Sequence, residues 1–334
     1  MKKKNFIILG IDTSCDDTCA AIINNNTVLS NIVRTQKIHQ KFGGVVPELA
    51  ASLHLQHIVS VVNNAILKAK IKNNAINAIA FTNFPGLIGS LLVGSAFAKS
   101  LAMCWQIPLI SVNHIQAHIL AHFIKGVHST PPNFPFISLS ISGGHTNIIK
   151  VKDFLEIKIL GSSNDISLGN LFDNMAKRLG FKYPGGRIID KYAQLGNSKT
   201  FFFNKPKAKK LNFSFSGLQT NFLYFLKKKI KKNSKFISQN INDICASFQE
   251  TVFEILFDKL NQTVKKTGIK NIVFSGGISS NLGLKKFFSK KSLENNWKTF
   301  FPQLEFSSDN AAMIALVGKL KYERNLFDKF SIKP

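Results

Sequence analysis

Apolar positions alternate with small or polar ones across residues 136–151, Phe-Ile-Ser-Leu-Ser-Ile-Ser-Gly-Gly-His-Thr-Asn-Ile-Ile-Lys-Val, and a Ser-Gly-Gly turn divides the run. Period-two alternation on both sides of a glycine turn predicts a β-hairpin. Residues 6–23 repeat the layout: an apolar run, a polar Asp-Thr-Ser-Cys-Asp-Asp-Thr turn, then Cys-Ala-Ala-Ile-Ile. One strand–turn–strand unit therefore opens each half. This predicts an internal duplication, with two similar lobes facing a cleft.

The pattern between these hairpins shifts towards a helical period. A helix is expected from near Glu48 to about Lys70, carrying His54 and His57, which read as surface or packed histidines. A strand over Ile76–Thr82 runs into Pro-Gly-Leu-Ile-Gly-Ser and a long apolar helix. That order leaves free N–H groups and a helix dipole pointing the same way, although the Lys-Ser/Thr of a P-loop is missing. Leu109–Asn113 is a short strand entering a helix. The Pro-Pro-Asn-Phe-Pro stretch at 131–135 is the clearest linker, which places an N-terminal lobe at 1–131 and a C-terminal lobe at 132–334. Beyond the second hairpin, 164–180 is helical. A Tyr-Pro-Gly-Gly turn at 183–186 leads to Asp190, expected to open or cap the next helix. Residues 213–220 turn into another helix, and Asp243 to about Thr267 form a long amphipathic one. Strand–Ser-Gly-Gly–helix recurs at 271–281. A last helix, about 309–324, is expected to pack back on the N-terminal lobe.

At 334 residues and 45% hydrophobic content, two ordinary cores fit better than one. The most apolar run, Leu87 to Ala98, is short for a membrane span and meets Lys99. The opening Met-Lys-Lys-Lys resembles a signal peptide only until Asp12, Asp16 and Asp17 interrupt it, so a cytoplasmic protein with no membrane partner is expected. Four cysteines agree with that compartment, and Cys15 and Cys19 read as ordinary thiols because no second pair completes a zinc site. The net charge of +26 has two readings, a nucleic-acid footprint or a bias towards Lys, Asn, Ile and Phe throughout the chain. The lysine clusters at 205–210 and 227–235 are compatible with both.

The chemistry sharpens at His114 and His118, which are four apart and share one helix face, as a bidentate metal pair would; His122 continues that face. A zinc protease would need Glu directly after the first histidine, and this chain has Ile115. A metal site completed by an oxygen ligand and three packed histidines are the two readings. Asp309 is by default a helix cap, and a cap with a free carboxylate oxygen can also bind metal. The glycine turns suit an anion, since their N–H groups can be approached closely.

Taken together and in order, the motifs Gly10-Ile-Asp-Thr-Ser-Cys-Asp-Asp-Thr, Phe42-Gly-Gly-Val-Val-Pro-Glu, Pro85-Gly-Leu-Ile-Gly-Ser, Ser142-Gly-Gly-His-Thr, Tyr183-Pro-Gly-Gly, Phe213-Ser-Phe-Ser-Gly-Leu, Ser275-Gly-Gly-Ile-Ser-Ser-Asn and Asp309-Asn-Ala-Ala-Met resemble one family over nearly the whole chain. It is that of the tRNA threonylcarbamoyladenosine synthases, TsaD in bacteria, formerly called glycoproteases. The resemblance implies an α/β fold of two ribonuclease-H-like lobes, of the sugar kinase/Hsp70/actin superfamily, with the active site between them. It implies a divalent metal on His114, His118 and Asp309, iron(II) or else zinc. It implies transfer of the threonylcarbamoyl group from threonylcarbamoyl-adenylate to N6 of adenosine 37 in tRNAs reading codons that begin with A. The nucleotide would lie against Ser140, Ile141, Ser142, Gly143, Gly144, Asp173, Gly186, Asp190 and Asn281. Asp12 is the candidate catalytic group for the N6 proton. TsaB-like and TsaE-like proteins are the implied partners. The alternative is a nucleotide-binding regulatory or assembly protein of this fold without transfer activity. The chain departs from the family pattern at Gln116 (usually Glu), at Leu53 (usually Arg), and at Ser162, Ile166 and Asn170, where the family stretch is acidic.

Overall fold

The computed structural model describes residues 5–334; the lysine run at 2–4, on which the signal-like reading of the start rests, lies outside the described residues. Two compact units form. One is Met1–Pro131 together with Pro302–Pro334, and the other is Pro132–Phe301. The second unit therefore stops at Phe301, not at the chain end.

In the first unit, β1 (Ile7–Asp12) and β2 (Asp17–Asn24) pair antiparallel, and β3 (Thr27–Thr35) extends the meander. After α1 (Pro47–Ala69), β4 (Ala78–Phe84) returns parallel to β1. α2 (Ile88–Trp105) leads to β5 (Leu109–Asn113), parallel to β4, and then to α3 (His114–Leu120). The sheet order is β3-β2-β1-β4-β5. β1, β2 and β4 are buried along nearly their whole length, which is why their sequences are runs of Ile, Ala, Leu and Phe.

The second unit opens with β6 (Phe136–Ile141), β7 (Thr146–Val151) and β8 (Ile157–Ser162), again an antiparallel meander. It continues through α4 (Leu168–Arg178), α5 (Gly186–Ala193), α6 (Ser216–Lys232) and α7 (Phe236–Thr267). β9 (Asn271–Ser275) pairs parallel to β6, and α8 (Leu282–Asn295) precedes β10 (Lys298–Phe300), parallel to β9. Its order, β10-β9-β6-β7-β8, is the first sheet's order with each strand replaced by its counterpart. The pairing of the second and third strands shifts register at Ile22/Ile23 in one unit and at Ile148/Ile149 in the other. The duplication read from the two hairpins thus extends to whole sheets.

The terminal segment adds α9 (Leu304–Ser307) and α10 (Ala311–Tyr322) to the first unit. α10 is buried through Leu316 and lies on β1 and β4. Gly10 permits this approach, since a Cβ there would lie 2.3 Å from the Ala311 carbonyl oxygen and 2.7 Å from the Ala315 nitrogen. α2 corrects the reading of its apolar run. The helix does not stop at Ala98 but passes Lys99 to Trp105, making it the one helix among the described residues long and apolar enough to cross a membrane. Here it packs on α1 and β4, and the Lys99 ammonium donates to the Ile332 carbonyl of the same unit.

Candidate functional site

Asn113 ends β5 and caps α3, its Oδ1 accepting the Gln116 N–H at 2.9 Å. The cap fixes the first turn, so His114 and His118 leave the helix on one face, with their Nε2 atoms 3.1 Å apart. Asp309 meets them from the start of α10. The cap of that helix is not Asp309 but its neighbour Asn310, whose Oδ1 accepts the Met313 N–H at 3.1 Å. Released from capping, Asp309 turns Oδ1 to His118 Nε2 at 3.1 Å and to His114 Nε2 at 3.4 Å.

Three donor atoms thus converge at 3.1–3.4 Å. Ligands bound to a divalent ion at ~2.1 Å and at angles near 90–110° are about 3.0–3.4 Å apart. Electrostatics point the same way. Burial works against a charge on His114, but Asp12 and Asp309 outweigh it and push its pKa up to about 10. His118, equally buried, is pushed down despite Asp309 and keeps a free lone pair. Asp309, half-buried, is held well below the carboxylate range because His114 faces it. The site holds a positive charge where these three atoms converge, and a divalent cation that replaced the His114 proton would meet two imidazole nitrogens and a carboxylate oxygen, so these residues fit such a cation.

Asp12 stands behind this cluster. It is fully buried; Oδ1 accepts the Ser14 N–H at 3.1 Å, and Oδ2 lies 3.4 Å from His114 Nδ1 without a hydrogen bond. That is where a carboxylate orients a metal-bound histidine. Burial pushes Asp17 up to about 7, with Asp309 and Asp16 adding to it against a hydrogen bond with Thr35. Burial and Asp16 push the Cys15 thiol up as well, so it stays protonated; neither Cys15 nor Cys19 joins the cluster. His122 does not continue the metal face either. It sits in the turn after α3 with Nδ1 2.8 Å from His128 Nε2 and the two rings stacked. His54, read from sequence as a packed or surface residue, proves to be a strut. Its Nε2 donates to the Cys15 carbonyl at 2.8 Å and its Nδ1 meets the Thr18 hydroxyl at 2.8 Å, tying α1 to the acidic turn.

The other expected residues belong to the second unit. Ser142 N donates to the His145 carbonyl, closing a tight turn between β6 and β7. His145 reaches Ser142 Oγ through Nδ1 at 2.8 Å and Ser140 Oγ through Nε2 at 3.1 Å, which fixes both serines. Ile141 is buried at the strand end. A Cβ on Gly143 or Gly144 would meet nothing within 4 Å, so no contact inside the protein demands glycine there, and the open space suits a close ligand. Gly169 of α4 is demanded from within: its Cβ would fall 2.5 Å from Gly143 Cα and 2.7 Å from the Ser142 oxygen. The Ser167 hydroxyl also donates to the Gly143 carbonyl.

Asp173 accepts the Gly185 N–H at 2.7 Å, holding the turn that starts α5 at Gly186; burial raises its pKa against that bond. Asp190 neither opens nor caps its own helix. It lies inside α5 and caps α8, accepting from Leu282 N at 3.0 Å and Gly283 N at 3.1 Å, and from Gln249 Nε2 at 3.1 Å. Asn281 is the N-cap of α8 through Leu284 N at 2.7 Å, and its Nδ2 donates to Gln249 Oε1 at 2.9 Å. Gln249, unremarked in the sequence, is the buried centre of this network. The expected residues thus fall into two local groups: Asp12, His114, His118 and Asp309 in the first unit, and the Ser140–Gly144 turn with Asp173, Gly186, Asp190 and Asn281 in the second.

Comparison with known proteins bears on the family and the fold. The TsaD family description, tRNA N6-adenosine threonylcarbamoyltransferase, matches residues 27–316. A tRNA N6-adenosine threonylcarbamoyltransferase of Christiangramia forsetii is 50% identical over 332 residues, 99% of this chain and 98% of that protein. One of Riemerella anatipestifer is 50% identical over 328 residues, 98% and 96% of the two chains. The crystal structure of the ROK hexokinase from Thermus thermophilus superposes with a TM-score of 0.51 at 14% identity, over 96% of this chain and all of that one. At that identity the likeness concerns the fold alone, an α/β arrangement of two mixed sheets.

Proposed function

The chain belongs to the family of tRNA N6-adenosine threonylcarbamoyltransferases, and from that premise we propose the reaction and the roles of its residues. The protein transfers the threonylcarbamoyl group of threonylcarbamoyl-adenylate to N6 of adenosine 37 in tRNAs reading codons that begin with A. The N6 amine forms a bond to the carbamoyl carbon, the bond from that carbon to the phosphate oxygen breaks, AMP leaves, and N6 gives up one proton. His114, His118 and Asp309 would hold the divalent metal, iron(II) or else zinc, which when bound supplies a Lewis acid for a carbonyl oxygen. The observation that supports this assignment most directly is the convergence of their three donor atoms.

The protein's own groups prepare the rest. Asp12 orients His114 from behind; full burial makes that role fit better than direct contact with the N6 proton. The Ser142–Gly144 turn leaves room for the adenylate beside Gly143 and Gly144, and its shape is held by the Gly144 and His145 N–H groups donating to Ser142 Oγ. Asp173 keeps the Gly185–Gly186 turn in shape, and Asp190 with Asn281 and Gln249 fixes the start of α8. Both Asp190 oxygens already accept backbone N–H groups, so it serves the nucleotide by positioning. Adenine N6 is a weak nucleophile and AMP a good leaving group, so holding the reactants in place does most of the work. The substrate places the protein in the cytoplasm, with TsaB-like and TsaE-like proteins as its partners.

The test is transfer of labelled threonylcarbamate to unmodified tRNA by the purified chain with those partners. AMP release that needs both tRNA and metal is the expected result. Nucleotide binding without modified tRNA, under conditions where a related enzyme is active, would leave the regulatory alternative.

A further inference from the structure

The net charge is not spread evenly. Pro132–Phe301 holds 28 of the 44 Lys and Arg but 10 of the 18 Asp and Glu, a net of +18 out of +26. Within that unit α6 stands apart. Leu218, Phe222 and Leu226 form its buried face, and Phe222 packs on Phe248 of α7 at a ring distance of 5.1 Å. Its other face contains no acidic residue. Lys227, Lys228, Lys231 and Lys232 are exposed on it, Lys235 follows in the turn, and Tyr224 is 71% exposed one turn before.

The lysines of this unit differ in how their charges are used. Lys205 lies between Glu254 and Asp258, Lys291 pairs with Glu294, Lys152 with Glu156, and Lys259 donates to two carbonyls. Lys229 is spent on packing, its Nζ 5.8 and 5.5 Å from the ring centroids of Phe225 and Phe236. Among the described residues, none of the five lysines on the outer face of α6 and its turn has a carboxylate partner. A helix C-terminus gains from one or two cations in its last turn. Five, continuing past the helix end, exceed what the dipole rewards and repel one another.

We propose that this face, Tyr224 with Lys227, Lys228, Lys231, Lys232 and Lys235, is a docking surface for the sugar–phosphate backbone of tRNA. The proposal rests on the transfer reading given above. A row of unpaired ammonium groups matches a row of phosphates, and an exposed phenol one turn away offers a base a stacking surface. Unpaired lysines occur elsewhere in the unit too; what sets α6 apart is that five of them fall on one face of a helix and its turn with no acidic residue among them.

The test compares the full chain with two triple variants by equilibrium binding to unmodified tRNA at several salt concentrations. One variant is Lys227→Gln/Lys228→Gln/Lys231→Gln; the other, Lys265→Gln/Lys266→Gln/Lys270→Gln, removes equal charge from the end of α7. Each phosphate contact contributes ~0.7–0.9 to the slope of log Kd against log salt, or about four- to fivefold in affinity at 0.15 M. The α6 variant should lose about two from the slope and bind tRNA roughly fifty- to a hundredfold more weakly, with melting temperature and AMP binding unchanged. Tyr224→Ala should weaken binding about fivefold with the slope intact. The proposal falls if the α6 variant binds like the parent, or if both triple variants lose equally, which would make the effect one of diffuse charge. It also falls if the α6 variant loses only adsorption to phosphatidylglycerol vesicles. A parent that transfers threonylcarbamate beside an unaffected α6 variant overturns the face alone; a parent that neither binds nor modifies tRNA overturns the transfer reading with it.

Discussion

Replacing Asp12 by Asn separates two roles that its position could serve. The substitution keeps shape and volume, so the amide oxygen can still accept the Ser14 N–H now held at 3.1 Å. The NH2 group then faces His114 Nδ1 at about the present Oδ2 distance of 3.4 Å. With Nε2 committed to a metal, Nδ1 carries the imidazole proton, and two donors oppose each other. Either the ring turns away or the amide flips, and a flip leaves the Ser14 N–H opposite a donor instead. Losing such an outer partner costs about 10- to 100-fold in metal affinity, or ~1.4–2.7 kcal/mol. Metal affinity measured by competition with a chromophoric chelator should fall by that factor. Transfer at saturating metal should then stay within about tenfold of the parent, since a lost general base costs ~100- to 10,000-fold. The positioning role is refuted if metal affinity is unchanged while transfer at saturating metal collapses, because Asp12 would then act on the reacting proton.

Three further outcomes follow from the same geometry. His118→Ala should empty the protein of metal by elemental analysis, and His122→Ala should not, because His122 pairs with His128 outside the cluster. Gly169→Ala should lower the melting temperature, at ~1–3 kcal/mol, by driving a methyl group into Gly143 and Ser142, whereas Gly144→Ala should leave stability alone and weaken AMP binding in calorimetry. Asp165 accepts from Ile166 N, Phe215 N, Ser214 Oγ and Ser216 Oγ at 2.7–2.9 Å; although exposed, it is held well below the carboxylate range because these donors outweigh its desolvation. Asp165→Ala should cost ~1–2 kcal/mol at neutral pH after allowance for solvent screening. Because the folded pKa is depressed, this stabilisation is complete above the unfolded value near 3.9 and fades as the pH falls from there to the folded one, so thermal melts of parent and variant should converge only in strong acid.

What the sequence disclosed and what it hid divide along the range of the interactions. The hairpins at β1–β2 and β6–β7 are local, and their alternation and turns were readable, as were the imidazoles four residues apart on α3. β3 and β8 went unseen because they are edge or half-exposed strands, and Thr27–Thr35 has no clean alternation to mark it. Asp309 and Asn310 are equally good caps by residue type, and only the packing of α10 on β1 decides which one faces the histidines. Asp190 serves a helix 92 residues further on, and Gln249 and His54 are single polar groups on helices whose partners lie far away in sequence. Periodicity reports which face is buried; it does not report which distant backbone groups a buried polar side chain must satisfy.

The doubled topology gives these observations a common cause. In both units the first two strands meet at one turn, and the strand pairing on either side is the same. The first unit fills its turn with Asp12, Asp16 and Asp17; Asp12, together with Asp309, holds a charge on buried His114, while burial is the main cause that raises Asp17. The second unit fills the equivalent turn with Ser142, Gly143 and Gly144, uncharged and with open space beside both glycines. The two copies of one scaffold have thus diverged in charge at this turn, acidic in the first unit and uncharged in the second. Short stretches of sequence set the charge of each turn while the sheets stay the same, so the two turns differ without any change in strand order.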